Sequence, residues 1–113
     1  MPNDHVTYCG TRLGWDRDER VLVARGDDVR PLRQRGHANR FTWGYPGGGP
    51  IALAVSILCD YLQISEEDSA AVRDLEVGRA WHLANEVLCE MPHCWIMTGS
   101  DVAPYAARVM ATV

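Results

Sequence analysis

The chain has 113 residues, a formal net charge of −4 and 47% hydrophobic residues, which predicts a single domain over residues 1–113 with a core of its own. All eleven basic residues are arginine, so a Schiff-base lysine and the phosphate-binding lysine of a P-loop are excluded. The acidic balance argues against direct nucleic-acid binding.

The first half of the chain predicts a small antiparallel sheet. Residues 5–10 and 20–25 have strand composition and are joined by a polar turn, which indicates a β-hairpin. Residues 29–33 predict a short third strand, which Pro31 restricts to an edge of the sheet. Residues 41–43 predict a further short strand. The N-terminus has no apolar signal segment, so we expect a cytoplasmic protein with reduced cysteines.

Residues 41–62 form the stretch around which the chain is organised. Pro50 suits a first helical position, with Gly49 as the N-cap. From residue 51 to residue 59 only Ser56 is polar, and a helix that is apolar all round is a buried helix. The run is too short to span a bilayer, so no membrane partner is expected.

A glycine-rich hinge precedes this helix, and it has two interpretations. Its glycines permit positive φ angles or the close approach of another backbone, which favours a structural turn that docks the helix. A glycine turn before a helix also offers free N–H groups to an anion, which predicts a small ligand- or nucleotide-binding domain instead. The first interpretation, a structural turn, is favoured because Pro50 removes one of the backbone N–H donors that an anion would use. The hinge comprises Trp43, Gly44, Tyr45, Gly47, Gly48, Gly49 and Pro50.

The second half predicts mostly helix. Residues 65–68 resemble a capping box with Ser65 as the N-cap, and the helical segment up to residue 91 is either one helix or a short helix followed by a long one. Residues 94–97 predict a short strand, and Thr98 with Asp101 predicts a second cap before a last helix. The apolar stripe of the middle segment is Val77, Trp81, Ala84, Leu88 and Met91. The sequence therefore predicts an α+β fold, in which a small antiparallel sheet packs with three to four helices and the central helix is buried.

Charge is distributed unevenly along the chain. Residues 1–49 carry eight arginines against six acidic residues, and residues 50–113 carry three against nine. An acidic surface suits a basic protein partner, such as a nucleic-acid-binding defence complex, although it also simply keeps a protein in solution. The residues predicted to bind a partner are Arg33, Arg35, Glu66, Glu67, Asp68, Asp74 and Glu76.

No catalytic set and no cofactor site emerges from the sequence. No serine lies in a G-x-S-x-G elbow. His82, Cys89, His93 and Cys94 form the one metal-like cluster, and their spacing differs from the paired spacing of structural zinc sites. We therefore expect no catalytic residue, no metal and no cofactor.

The central stretch resembles the F-x-W-G-Y-x-G-(Ser/Gly)-G-P signature of a small bacterial, phage and plasmid domain family of unknown function. A later Leu-Pro-x-x-Trp-x-Leu-Thr pattern of that family is echoed around Pro92 and Trp95, with methionine twice in place of leucine. The signature matches are Phe41, Trp43, Gly44, Tyr45, Gly47, Gly49, Pro50, Leu53, Ala54 and Asp60. The resemblance implies a shared fold and an association with mobile elements, and it brings no catalytic residue. The function that follows is a non-enzymatic protein that binds a host or phage protein, for instance as an anti-CRISPR-like inhibitor.

Overall fold

The computed structural model describes residues 5–13, 18–36 and 41–110. It shows an antiparallel sheet of four strands with helices packed on one of its faces, so the predicted α+β class is confirmed. The strands are β1 (Val6–Leu13), β2 (Asp18–Arg25), β3 (Asp28–Pro31) and β4 (Cys94–Thr98). The helices are α1 (Gly48–Tyr61), α2 (Ser69–Asp74), α3 (Trp81–Glu86) and α4 (Gly99–Met110), with a π-helical turn at Leu75–Arg79 and a 3₁₀ turn at Leu88–Glu90.

The sheet has the order β3-β2-β1-β4, and every neighbouring pair is antiparallel. The predicted hairpin is confirmed as β1 and β2, whose connecting residues 14–17 lie outside the described part of the chain. The short β3 is an edge strand that ends at Pro31, as predicted. The predicted strand at residues 41–43 is wrong, because β4 pairs with the second side of β1 and the Trp43 indole instead donates to the Pro92 carbonyl at 2.8 Å.

Helix α1 lies in the centre of the core, with eleven of its fourteen residues buried, which confirms the buried central helix. It begins at Gly48 with Gly47 as the N-cap, two residues before the predicted start. Pro50 is therefore the third helical residue. The first four N–H groups of a helix have no partner within the helix, so the N–H that proline lacks costs no hydrogen bond there. Within the described residues, no helix combines the length and apolar content needed to cross a bilayer.

The helical segment after α1 starts later than the sequence predicts. Asp68 rather than Ser65 is the N-cap of α2, and its Oδ1 accepts a hydrogen bond from the Ala71 N–H at 3.0 Å. The Ser65 hydroxyl accepts from the Glu67 N–H at 3.3 Å and shapes the preceding loop. The predicted capping box is therefore wrong, and the N-cap lies three residues later than predicted. The Asp68 carboxylate alone accepts a hydrogen bond from a backbone N–H of the first turn.

The apolar stripe predicted for the middle segment is only partly correct. Ala84 and Leu88 are buried, but 67% of Val77 and 44% of Trp81 are exposed. The π-helical turn explains the failure, because it inserts an extra residue per turn and rotates the following side chains away from a 3.6-residue stripe. Gly78 has non-helical backbone angles inside this turn, so the segment consists of two helices of six residues each and is neither the single helix nor the short helix followed by a long one that the sequence predicts.

The predicted cap before the last helix is confirmed. The Thr98 N–H donates to the Asp101 carboxylate at 2.9 Å, and the Asp101 N–H donates to the Thr98 hydroxyl at 3.3 Å. Two donors that lack partners at the helix start are thereby satisfied reciprocally. This cap directs α4 back across the sheet directly after β4.

Candidate interaction surfaces

The first part of the hinge is held in the core by Trp43. Its side chain is fully buried and meets Trp95 edge to face, with ring centroids 5.6 Å apart. Its carbonyl accepts a hydrogen bond from the Arg12 guanidinium at 2.6 Å. The Gly44 N–H donates to the Leu88 carbonyl at 2.9 Å, and Gly44 has a φ of 87°, a backbone conformation that favours glycine.

The second part of the hinge packs its own aromatic ring onto the start of α1. The Tyr45 and Thr42 hydroxyls form a hydrogen bond of 2.7 Å. A Cβ atom added to Gly49 would overlap the Thr42 hydroxyl, and one added to Gly47 would lie 2.9 Å from the Tyr45 ring. These glycines therefore leave room for Thr42 and Tyr45, which supports the structural interpretation of the hinge. A ligand at this hinge stays a prediction.

A polar network that the sequence does not predict joins α1 to the sheet. Asp60, near the end of α1, accepts hydrogen bonds from the Arg25 guanidinium at 2.6 and 3.1 Å and from the Tyr8 hydroxyl at 2.6 Å. Burial, and then the hydrogen bond to Asp60, raise the pKa of Tyr8 above its usual range. The one signal for this network in the sequence is the carboxylate of Asp60 at the end of an otherwise apolar helix, since a carboxylate beside the core requires a hydrogen-bond partner.

Beside this network, the structure brings together three of the residues predicted to bind a partner. Arg33 forms an ion pair with Glu66. Arg35 donates to the Ile64 and Ser65 carbonyls at 3.0 and 2.9 Å. The three residues line a cleft of about 340 Å³ that also borders Asp60.

The other predicted partner-binding residues lie along the following helical segment. Glu67 is exposed, Asp68 is the N-cap of α2, and Asp74 forms an ion pair of 2.8 Å with Arg79. The Glu76 carboxylate lies against Gly36, where a Cβ atom would be 2.8 Å away from it. Several of these carboxylates thus already have a partner within the chain.

The metal-like cluster of the sequence comprises His82, Cys89, His93 and Cys94. Across residues 5–13, 18–36 and 41–110, no group of three or more His, Cys, Asp or Glu side chains is arranged to hold a metal ion. The Cys89 thiol donates to the Asn85 carbonyl at 2.9 Å. The Glu86 carboxylate accepts from Arg108 at 2.8 Å and lies 3.1 Å from His82, and these two contacts, Arg108 first, lower the pKa of Glu86.

The face of the sheet that points away from the helices carries exposed apolar side chains. We call it the outer sheet face, and its two central rows follow from the strand register. The first row runs across β4, β1, β2 and β3 as Ile96, Cys9, Leu22 and Pro31. The second row is Thr98, Thr7, Ala24 and Val29. Antiparallel sheets with one solvated face usually alternate apolar-in and polar-out, and this sheet departs from that rule.

Exposure on the outer sheet face is large at three aliphatic positions. The exposed fraction is 70% for Ile96, 58% for Val29 and 41% for Leu22. A third row at one end of the face adds Thr11, Cys94 and Arg20. These three rows contain one charged residue, Arg20, and the register continues beyond it to the pair Leu13 and Asp18.

Taken together, the fold is a two-layer α+β domain with one apolar face of its sheet open and a charged cleft beside its central helix. The chain belongs to a family of unknown function (DUF6166), whose model matches residues 8–108. The comparisons with curated proteins and with solved structures gave no match.

Proposed function

We propose that the protein is a non-catalytic domain that acts by binding another protein through the outer sheet face. The observation that carries this proposal is the exposure of Ile96, Val29 and Leu22 on one uncovered face. Apolar patches of this kind on a folded protein mark protein-interaction surfaces. The function is therefore docking rather than catalysis.

Covering the aliphatic side chains of this face would contribute part of the binding free energy. Fully burying a large aliphatic side chain contributes roughly 1.5–3 kcal/mol. Since the three aliphatic side chains are about half exposed, covering each of them contributes about 0.8–1.5 kcal/mol. The surrounding threonine hydroxyls and strand backbone add hydrogen-bonding groups at the rim, which is the usual anatomy of an interface.

The partner that we propose is a protein of the host or of a phage. The resemblance to a bacterial, phage and plasmid family favours a mobile-element protein that meets a host or phage protein in the cytoplasm. An anti-defence inhibitor of the anti-CRISPR kind fits an acidic chain with a net charge of −4. Because several acidic side chains are already paired within the chain, we assign them to the electrostatic steering of a basic partner rather than to direct contact.

The test is capture of a partner by the tagged protein from lysate of the host. We expect Leu22→Glu and Ile96→Glu each to abolish capture, because both place a carboxylate in the buried centre of the interface. Val77→Glu is the matched control, since Val77 is 67% exposed on the helical side. The proposal is overturned if the sheet variants capture the same partner as the wild type.

The acidic residues are tested on the same complex. Glu66→Gln together with Glu67→Gln is expected to slow association and to flatten its dependence on salt, while the dissociation rate changes little. An association rate that does not respond to these changes would show that the acidic residues do not steer the partner. The docking role of the sheet would be unaffected by that outcome.

The alternative function is a ligand- or nucleotide-binding domain that uses residues 47–49. Thr42 and Tyr45 already occupy the space over Gly49 and Gly47, so the hinge supports this alternative less well. A rise in melting temperature with nucleotides or inorganic phosphate, lost in Gly48→Val, would favour it over docking.

A further inference from the structure

We infer that the free edge of β4 binds an extended, basic segment of another protein, which adds to the sheet as a fifth strand. This inference goes beyond the proposed function, because it uses the backbone of an edge strand rather than the side chains of the outer sheet face. It is carried by the hydrogen-bond register of the sheet, by a groove beside β4 and by the charge at the end of that strand.

The backbone groups of β4 alternate between its two edges. The Arg12 N–H donates to the His93 carbonyl at 3.0 Å, so these two residues form a hydrogen-bonded pair that continues the register between β1 and β4. Hydrogen-bonded and non-hydrogen-bonded pairs alternate along an antiparallel ladder. Cys94 and Ile96 therefore direct their N–H and C=O groups away from β1. Within residues 5–13, 18–36 and 41–110, no further strand pairs with that edge.

A hydrogen bond at the end of the strand agrees with this register. The Thr98 N–H lies two residues beyond Ile96 and points to the same edge, where it donates to the Asp101 carboxylate at 2.9 Å. The Asp101 carboxylate therefore lies in line with the free edge and marks its end. The edge that remains consists of the two N–H and two C=O groups of Cys94 and Ile96.

The two edges of the sheet differ in how they are protected. Strand β3 ends at Pro31 and carries Asp28 and Arg30, whose side chains form an ion pair of 2.7 Å. Proline and charged side chains are common means of blocking strand addition at an edge. Strand β4, with the sequence CWIMT, contains neither. The β4 edge therefore keeps the capacity to pair with an added strand.

A groove of about 530 Å³ lies beside this edge. Ile96 on the outer sheet face and Met97 on the helical side both line it, so the groove opens at the edge between the two faces. An added strand places every second side chain on the helical side. An aliphatic side chain there meets an apolar lining that includes two flexible methionines, which adapt to different partners. The apolar groups of this lining are Val87, Met91, Met97, Pro104 and Tyr105.

Charge at the end of the edge selects a basic segment. The Asp101 carboxylate is exposed and accepts its hydrogen bonds from the neutral N–H and hydroxyl of Thr98. Arg108, which also lines the groove, forms an ion pair of 2.8 Å with Glu86. The groove therefore keeps the negative charge of Asp101. Because β4 runs towards Thr98, an antiparallel added strand begins beside Asp101, where a lysine or arginine side chain complements that charge.

A second copy of this chain fits the edge less well. Two β4 strands paired about a two-fold axis would turn Trp95 and Met97 towards the grooves, but these side chains are 6% and 2% exposed because they belong to their own core. Neither groove would then be filled. Strand β4 also has no basic residue to place beside Asp101. The occupant is therefore a segment of a different protein.

Selection from a displayed library of random peptides on the immobilised protein tests the inference. We expect enriched peptides to carry lysine or arginine followed by alternating aliphatic residues. Fluorescence anisotropy then measures the affinity of the best peptide for the wild type and for variants. Cys94→Pro removes an outward N–H at the first residue of β4, a position that tolerates proline, and it should weaken binding about tenfold.

The opposite edge of the sheet supplies the matched control. The Leu32 N–H donates to the Val21 carbonyl at 2.8 Å, so the β2–β3 register directs the N–H of Val29 outward in the same way. Val29→Pro should leave the affinity unchanged. Asp101→Asn keeps an acceptor for the Thr98 N–H and removes the charge, so it should weaken binding and flatten its dependence on salt.

Methylation of the backbone nitrogens of the peptide, one residue at a time, tests the binding mode on the unaltered protein. Affinity should fall at every second residue, because alternate N–H groups of an added strand face β4. This measurement decides the question if circular dichroism shows that Cys94→Pro does not fold.

The outcomes separate this inference from the proposed function. An empty selection, a uniform methylation profile or wild-type affinity in a folded Cys94→Pro variant overturns the inference. Self-association that Cys94→Pro abolishes also overturns it and assigns the edge to a second copy. Leu22→Glu on the outer sheet face should abolish partner capture and leave peptide binding intact. Capture that depends on Leu22 together with an empty selection would uphold the docking face and remove the edge site.

Discussion

At the scale of single residues, the Tyr8 hydroxyl links the sheet to the central helix. Tyr8 is fully buried in the core and donates a hydrogen bond of 2.6 Å to Asp60. The sequence places Asp60 at the end of an apolar helix and predicts nothing about its partners. Tyr8 and Arg25 are 52 and 35 residues away along the chain, and local patterns carry no information about such contacts.

Tyr8→Phe is predicted to destabilise the protein by about 1–3 kcal/mol at pH 7, the usual range for losing a hydrogen bond to a charged group. The effect should depend on pH. Burial raises the pKa of Tyr8 above its ordinary value of about 10, so the unfolded chain releases the proton first. The stabilisation is complete below pH 10 and is lost as the pH rises above it.

Urea unfolding of the wild type and Tyr8→Phe from pH 7 to pH 11.5 measures this. The difference in free energy of unfolding is expected to stay constant up to about pH 9.5 and then to shrink. The Cys59 thiol, whose pKa burial raises to about 11, is present in both proteins and cancels in the difference. A difference that stays constant to pH 11.5 would contradict the assigned role of Tyr8.

At the scale of elements, the hinge and α1 are well predicted from the sequence, and the segment after α1 is not. A glycine run before an apolar stretch predicts a turn and a buried helix, and both occur. The stripe from Val77 to Met91 assumes one continuous helix. The turn at Leu75–Arg79 breaks that assumption, because hydrogen-bond register within a helix depends on packing that periodicity does not report.

Gly49→Ala is predicted to destabilise the protein by about 1–3 kcal/mol, as overpacking does in a filled core. The added methyl group would overlap the Thr42 hydroxyl and displace the Tyr45 loop from α1. Gly78→Ala is the matched control, because a Cβ atom there meets nothing within 4 Å. Thermal and urea unfolding measure both variants.

A double-variant cycle with Thr42→Gly tests the mechanism of that loss. Removing the Thr42 side chain should make Gly49→Ala less destabilising than it is in the wild type, since the overlapping atoms are gone. Equal costs in the two backgrounds would show that Gly49 serves some purpose other than space for Thr42.

At the scale of the whole molecule, the sequence predicts an α+β arrangement but not which face of the sheet the helices cover. The sequence contains one signal for an open apolar face. Val21, Leu22 and Val23 are consecutive, so β2 has aliphatic side chains on both of its faces. A strand buried on both faces has the same pattern. Only the packed structure separates the two cases.

Asp60 joins the two layers, and Asp60→Ala is predicted to cost about 1–3 kcal/mol because it leaves Tyr8 and Arg25 without their acceptor. Glu66→Ala, which removes an exposed ion pair with Arg33, should cost below about 1 kcal/mol. Urea unfolding at pH 7 compares them. Similar costs for both variants would mean that the layers are held by apolar packing alone.

The position of β1 has a consequence for synthesis of the chain. This first strand pairs directly with the last strand, β4, with Tyr8 opposite Met97, so the sheet is incomplete until residue 98 has left the ribosome. Contacts between distant parts of a sequence slow folding. The early hairpin must therefore wait with one edge open during translation, and a stop codon anywhere before β4 would leave that edge permanently unpaired.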